Sequence, residues 1–457
     1  MTRILYNHPA MKFDRDFYTS ISRLALPIMA QSLISASMNL LDVVMLGQMG
    51  DTAVTAVGLA NQLYFLLMFL LFGISSGAAV FTAQYWGRGD VPGIRRVLGI
   101  CLTISLAGGV LFTGLALGFT RPVLHIYTND PAVIELGARY LRWAGLGYLF
   151  FAVSYSYASV LRSTGQVRLP VTVSAAAILF KTGLSYLLIF GKAGLPALGV
   201  EGAAIATMIA RMLECAALLI FTYRWKLPAA ASLREMSDFD RHFLARYLKT
   251  ALPVVFNESL WSLGITTYNA IYAHIGTESI AAVNIAGTVE SLAFVIFIGI
   301  SDACAILVGN KIGAGDMETA YTYARRSLTL AILGGMAVGG VILLTSGAIL
   351  SLYKVSPDSL EYARRILIVQ GLVLWIRVSN MTVIVGVLRS GGDTRFSLIV
   401  DAGTLWLIGV PTALLGAFVL HLPVYWVYLM VLSEEAVKLL VSLLRFRSRQ
   451  WIHFLAA

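Results

Sequence analysis

Charge is what this chain of 457 residues has least of. Asp, Glu, Lys and Arg make up 13% of it, about half the share found in soluble domains. A folded chain of this length in water needs more polar surface than that, so a soluble enzyme, a secreted module and a disordered chain are all excluded. Cysteine is scarce too. Cys101, Cys215 and Cys304 all lie inside apolar stretches, which leaves neither a disulfide framework nor a thiolate metal site. The six histidines are scattered, with no pair at metal-ligand spacing. No Gly-x-x-x-x-Gly-Lys-Ser/Thr segment is there to cradle a nucleotide. Neither enzyme chemistry nor a cofactor or metal is expected, and any uphill work must draw on an ion gradient. What the chain has instead is apolar residues, 58% of the total, and a mean hydropathy of +0.79. It reads as an integral membrane protein surrounded by lipid.

Apolar runs of about 20 residues or more cross roughly 30 Å of hydrocarbon at 1.5 Å per residue. Twelve occur, with approximate limits 18–47, 54–86, 96–119, 133–161, 168–191, 200–223, 247–274, 279–309, 324–352, 360–388, 396–419 and 424–445. The first is too long for a secretory leader and lacks a small-residue cleavage site after a short core, so it is read as a span. Positive residues mark the cytoplasmic side. With the N-terminus inside, 24 Lys and Arg fall in cytoplasmic segments, among them Arg3, Lys12, Arg15, Arg88, Arg162, Lys311, Arg389 and a C-terminal cluster. Seven fall outside: Arg121, Arg139, Arg142, Lys192, Lys354, Arg364 and Arg365. Both termini are therefore expected in the cytoplasm. The net charge of +10 is a topology signal and calls for no nucleic-acid partner. Short connections without glycan or disulfide signals suit a bacterial inner membrane, and a monomer is expected.

The longest polar segment follows the sixth span, and the chain repeats across it. Shifting by 226 residues aligns Ala25-Leu26-Pro27 with Ala251-Leu252-Pro253, and Gly73-Ile74-Ser75 with Gly299-Ile300-Ser301. The same shift aligns Gly87, Gly89 and Asp90 with Gly313, Gly315 and Asp316, and one more residue pairs Leu161-Arg162-Ser163 with Leu388-Arg389-Ser390. This is an internal duplication. The expected fold is an all-α membrane protein of twelve transmembrane helices in two six-helix bundles, residues 1–224 and 247–457, joined by a cytoplasmic linker at 225–246. Each half has an even number of spans, so the copies enter the membrane in the same direction. A pseudo-two-fold axis along the membrane normal, with a cavity between the halves, follows.

Several segments resemble those of multidrug and toxic compound extrusion (MATE) transporters. They are the early Pro of spans one and seven, the Gly-x-Gly-Asp after spans two and eight, and the Leu-Arg-Ser-x-Gly after spans four and ten. Others are Leu187-Leu188-Ile189-Phe190-Gly191 followed by Gly199-Val200-Glu201-Gly202-Ala203-Ala204, Asp401 with Trp406 and Gly409-Val410-Pro411, and the terminal Arg445-Phe446-Arg447-Ser448. The resemblance runs from about Tyr18 to Trp451. It implies two bundles around a V-shaped cavity and export of organic cations or other amphipathic drugs in exchange for protons or sodium ions.

Duplication separates fold from function. Features of both halves are expected to serve the bundle: Pro27 and Pro253 kink their helices, the segments at 87–90 and 313–316 read as turns, and Arg162 and Arg389 as helix-end anchors. Asp42, Lys181, Arg211, Glu258, Glu290, Asp302 and Arg377 are charged in one half only. Each costs roughly 2.5–3.5 kcal/mol in a span and must face a wet cavity or a partner.

Asp42 shares a helical face with Ser35 and Asn39, and Lys181 on span five, with Ser185 one turn further on, lies within reach of it. An ion pair is expected, either as the coupling centre or as a neutral lock. The resemblance makes the span-one Asp a coupling residue. Some relatives carry Asn and Asp where Lys181 and Ser185 stand; an ammonium there repels sodium and favours the proton as coupling ion. Glu258 shares a face with Trp261 and Ser262. Other branches of the family use a span-seven Glu three residues later, where Trp261 stands, and a span-ten Asp near Val378, where this chain has Arg377 and Asn380. Glu258 is expected either as a cation or proton site or paired with Arg377, with Asn380 at similar depth.

Ion coupling is thus assigned to Asp42, Lys181, Asn39 and Glu258. Substrate contact is assigned to Glu258, Trp261, Arg377, Asn380, Glu290, Tyr64 and Met38, the last two among methionine and aromatic side chains that suit organic cations. Arg211 with Glu214, and Asp401, are expected in structural contacts. A proton-driven drug antiporter working by alternating access leads. A sodium-driven one, a flippase for a lipid-linked precursor and a non-transporting receptor are the alternatives. The flippase needs a basic cavity, and only three basic residues are expected inside spans.

Overall fold

The computed structural model describes residues 15–351, 353 and 355–455. Arg3, Lys12 and Lys354 of the charge count, and the outermost ends of both expected bundles, lie outside them. Twelve helical spans follow one another. The first half holds α1 Arg15–Gly47, α2 Asp51–Arg88, α3 Val91–Gly118, α4 Pro131–Ser163, α5 Arg168–Phe190 and α6 Val200–Arg224. The second holds α7 Arg241–Ile275, α8 Thr277–Gly313, α9 Met317–Leu350, α10 Pro357–Arg389, α11 Thr394–Val419, and α12, broken at Leu432 into Val424–Val431 and Ser433–Arg447. Ten of the twelve are long and apolar enough to cross a bilayer by length and composition alone. The others are α7, rich in polar side chains, and α12, which carries Glu434, Glu435 and Lys438. The described residues contain no β-strand.

Helix pairing repeats with a period of six. α2 packs on α3 and α4, α3 on α4, α5 on α6 and α1 on α5; in the second half α8 packs on α9 and α10, α9 on α10, α11 on α12 and α7 on α11. The halves meet through α1 with α8, its counterpart α7 with α2, and α2 with α8, as a two-fold axis requires.

Those contacts concentrate toward the face that carries both chain ends, and glycine makes them possible. A Cβ on Gly87 would sit 1.9 Å from the Asn310 carbonyl oxygen, and one on Gly313 would sit 1.9 Å from that of Gln84. Gly73 meets Val255 as Gly299 meets Met29. All four contacts are mirrored by the 226-residue shift. Gly87 and Gly313, expected in turns, therefore serve close helix approach instead, because only a bare Cα lets two backbones come so near. The turns fall one step later, at Gly89 and Gly315, both at φ +78°, followed by Asp90 and Asp316, which cap α3 and α9. The Tyr247 hydroxyl adds a bond across the seam to the Ile74 carbonyl, 2.6 Å.

The halves differ in regularity. Among the described residues, widened turns with i→i+5 bonding occur at Thr382–Arg389 in α10 and at Leu405–Gly409 and Leu415–Val419 in α11, all in the second half. Such turns are rare and gather at functional sites.

Candidate functional site

In the first half, the four-carbon arm of Lys181 on α5 brings its Nζ onto Asp42 Oδ2 on α1, as charge neutralisation requires. Both side chains are partly open, 24 and 18% exposed. Asn39, one turn earlier, is exposed, and Met38 is half-buried. Ser185 is buried and its hydroxyl makes no hydrogen bond among the described residues. Tyr64 is committed elsewhere: its hydroxyl accepts from Arg211 Nη2 at 3.0 Å. The same guanidinium donates to Glu214 at 2.9 Å and lies over the Phe151 ring at 4.4 Å. Arg211 thus spends its charge inside the bundle, as an i,i+3 pair with aromatic cover.

In the second half the expected pairing is corrected. Glu258 on α7 takes Arg389, not Arg377: Arg389 Nη2 forms an ion pair with Glu258 Oε1 at 2.8 Å. Arg377 lies about three turns earlier on α10, where α8 and α12 supply carboxylates at its own level. It is bound to Glu290, lies 3.6 Å from Glu435, and reaches the Tyr428 hydroxyl at 3.5 Å. Asn380 does not join Glu258 either; its Nδ2 donates to the Glu435 carboxylate at 2.7 Å and to the Glu435 carbonyl at 2.8 Å. Glu290 also accepts from Gln370 at 2.9 Å. Trp261 is 40% exposed. Asp401 bridges helices as expected, accepting from Asn257 at 2.9 Å and from Lys438 at 2.9 Å.

On the axis between the halves lies a cavity of about 110 Å³, room for several waters. Arg162 and its counterpart Arg389 both line it, with Ser75, Ser76, Asp302 and Tyr155. Asp302 stands where the first half has Ser76, and it lies in the field of Arg162. Arg389 is only 3% exposed. The pair expected to anchor helix ends is instead the wall of an axial chamber.

Comparison with known proteins decides the family. The MatE family profile matches residues 27–187 and 253–415, about seven-tenths of the chain. The chain belongs to the MatE family. The two matches begin at Pro27 and Pro253, the same 226 residues apart, so the family unit is the internal repeat itself. Among its relatives, a probable multidrug resistance protein NorM of Thermotoga maritima is 26% identical over 439 residues, covering 94% of this chain and 92% of that protein. The NorM of Rhizobium meliloti, also named a probable multidrug resistance protein, is 29% identical over 407 residues, covering 86 and 85%. The crystal structure of a mutant of the Vibrio cholerae MATE transporter VcmN superposes with a TM-score of 0.87 at 18% identity, covering 95% of this chain and 97% of that one. A MOP superfamily transporter from Pyrococcus furiosus gives 0.81 at 22%, covering 95 and 96%. MatE proteins are membrane transporters rather than enzymes, and the twelve-helix fold is theirs.

Two buried charges of this MatE chain escape the sequence reading. Lys438 is included in the count of 24 loop charges, yet it is 4% exposed and bound to Asp401 inside the second half. Glu434 is equally buried. In the register that pairs Glu435 with Glu214 they fall opposite Ala217 and Leu213, so the half-against-half comparison, carried to the last span, flags both.

Proposed function

We propose that this chain is a proton-coupled antiporter that expels organic cations and related amphipathic compounds by alternating access. It acts as a monomer in a bacterial inner membrane with both termini in the cytoplasm. The Lys and Arg excess on the terminal face supports that orientation. The glycine seam then closes the cytoplasmic side.

The Asp42–Lys181 pair carries the reading. Titratable carboxylates within spans mark ion pathways, and this one is half-open while its partner already fills the place a sodium ion would take. A proton on Asp42 frees Lys181 and changes how α1 packs on α5. Because α1 also packs on α8 across the seam, the change reaches the closure between the halves and biases it toward one state. Glu258 supplies an acceptor for the cargo: an organic cation arriving there competes with Arg389 for the carboxylate. The names of the NorM relatives agree with drug extrusion.

Inside-out vesicles loaded by an imposed pH gradient at zero sodium test the proposal directly. Ethidium uptake is expected in the wild type and should fall roughly tenfold or more in Asp42→Asn, the size of a typical coupling energy. Uptake that needs sodium, or an Asp42→Asn protein that still responds fully to the pH gradient, would refute this mechanism.

A further inference from the structure

The buried charges of the second half do not balance. Four carboxylates, Glu290, Asp401, Glu434 and Glu435, share the space between α7, α8, α10, α11 and α12 with two cations, Arg377 and Lys438. Three of the carboxylates are held. Glu290 has Arg377 and Gln370, Asp401 has Lys438 and Asn257, and Glu435 has Asn380 with Arg377 and Lys438 nearby.

Glu434 has nothing of the kind. Its side chain is 4% exposed and Oε2 makes no hydrogen bond among the described residues. The Tyr268 hydroxyl on α7 is likewise buried and without a partner. The two orphans meet at Gly409 on α11: a Cβ placed there would lie 1.8 Å from the Tyr268 hydroxyl and 2.8 Å from Glu434 Oε2. The absence of a side chain at Gly409 is what makes room for them. Around this point stand Glu435 and Lys438 on α12 itself, Asp401 on α11, Arg377 on α10, and Tyr272 beside Tyr268 on α7. Glu290 and Tyr428 lie behind Arg377.

We propose that Glu434 is a proton-binding site of the C-terminal half, separate from Asp42. An ionised carboxylate buried with no donor facing it but the Tyr268 hydroxyl is strongly disfavoured. Protonated, it gains one O–H to donate, and the Tyr268 oxygen facing it has no other claim. The site falls where two helices are irregular, just past the break in α12 at Leu432 and at the end of the widened turn Leu405–Gly409. Losing the proton leaves a charge wedged between α7, α11 and α12, and α7 carries both Glu258 and one side of the seam. The binding site stands on geometry alone; its use in driving export rests on the antiport reading above.

Infrared difference spectra of the full-length protein in lipid, recorded across a pH step in choline chloride, test it. A protonated-carboxyl C=O band that titrates is expected in the wild type, retained in Asp42→Asn and lost in Glu434→Gln. Tyr268→Phe, which keeps the carboxyl, should shift the band rather than remove it, and so guards against a Glu434→Gln protein that merely misfolds. A band unchanged in Glu434→Gln, or unmoved in Tyr268→Phe, overturns the assignment. Loss of the wild-type band when sodium replaces choline at constant pH makes the site one for sodium and also overturns it. A wild type that keeps the Glu434 band yet transports nothing under a pH gradient would defeat the antiport reading and leave the proton site standing.

Discussion

The two halves are copies in their packing and unlike in their charge. Gly87 and Gly313, or Gly73 and Gly299, make the same contacts in mirror image. Most of the charged residues inside the spans do not repeat; Arg162 with Arg389 and Glu214 with Glu435 are exceptions. The first half keeps one open ion pair, Asp42 with Lys181, and one internal pair, Arg211 with Glu214. The second half holds a connected web from Glu290 through Arg377 and Glu435 to Lys438 and Asp401, around helices whose regular turns are interrupted. After duplication, backbone contacts that need a bare Cα had no freedom to drift, whereas side chains facing the bundle interiors could specialise. One half reads as an accessible switch, the other as a buried, pre-stressed network.

The sharpest way to break this contrast is to remove the cation from each. Lys438→Met leaves Asp401 without its cation in a site where the lysine is 4% exposed, and removing one partner of a buried pair costs about 3–5 kcal/mol. Lys181→Met frees a carboxylate that water can reach, so its cost should be nearer 1 kcal/mol. Thermal melting of the purified proteins followed by tryptophan fluorescence should place Lys438→Met well below Lys181→Met. Equal melting temperatures would mean that the halves do not differ in this way.

The seam offers the converse test, in which the halves must behave alike. Val at Gly87 or at Gly313 drives a side chain into a carbonyl 1.9 Å away, and overpacking of this kind costs roughly 1–3 kcal/mol. The cost falls on the closed seam alone, so both variants should favour the opposite state and lose drug transport to a similar degree. Gly58→Ala and Gly287→Ala, with open space at the Cβ position, should transport normally. A large difference between Gly87→Val and Gly313→Val would argue against a symmetric seam.

Much of the fold was legible because apolar length and a gapless repeat are properties of the chain alone. The ion pair of Asp42 with Lys181 was legible for a related reason: two opposite charges in neighbouring spans have few other partners. The second half resisted because it offers several partners for each charge. Glu258 could have taken Arg377 or Arg389, and the choice follows depth in the bundle: Arg377 is held by Glu290 and Glu435 about three turns away, which leaves Glu258 to Arg389. Lys438 was hidden by its nearness to a basic C-terminal cluster, where a buried lysine and a loop lysine look the same in a count.

The linker sides with the first half. Its short helix Leu233–Ser237 is closed by a capping box between Ser232 and Glu235, and Arg95 and Arg96 of α3 hold Glu235 and Asp238. A Cβ at Gly99 would fall 1.9 Å from the Met236 carbonyl, so the strap lies directly on α3. The Ser232 backbone N–H and hydroxyl, with Arg95 behind them, hold the Glu235 carboxyl down at about 2. A carboxyl lowered in the folded state stabilises the strap fully above its ordinary value of 4.5, and that support declines as pH falls below 4.5 until it is gone below about 2. Hydrogen exchange at the 232–238 amides, corrected for intrinsic rates, should therefore be equally slow at pH 7 and pH 6 and measurably faster at pH 4. Ser232→Ala removes a cap worth about 1 kcal/mol and lets Glu235 titrate closer to its ordinary range, so protection should be weaker at pH 7 but should fall less between pH 7 and pH 4 than in the wild type. If the wild-type amides already exchange at intrinsic rates at pH 7, the linker is a free connection and belongs to neither half.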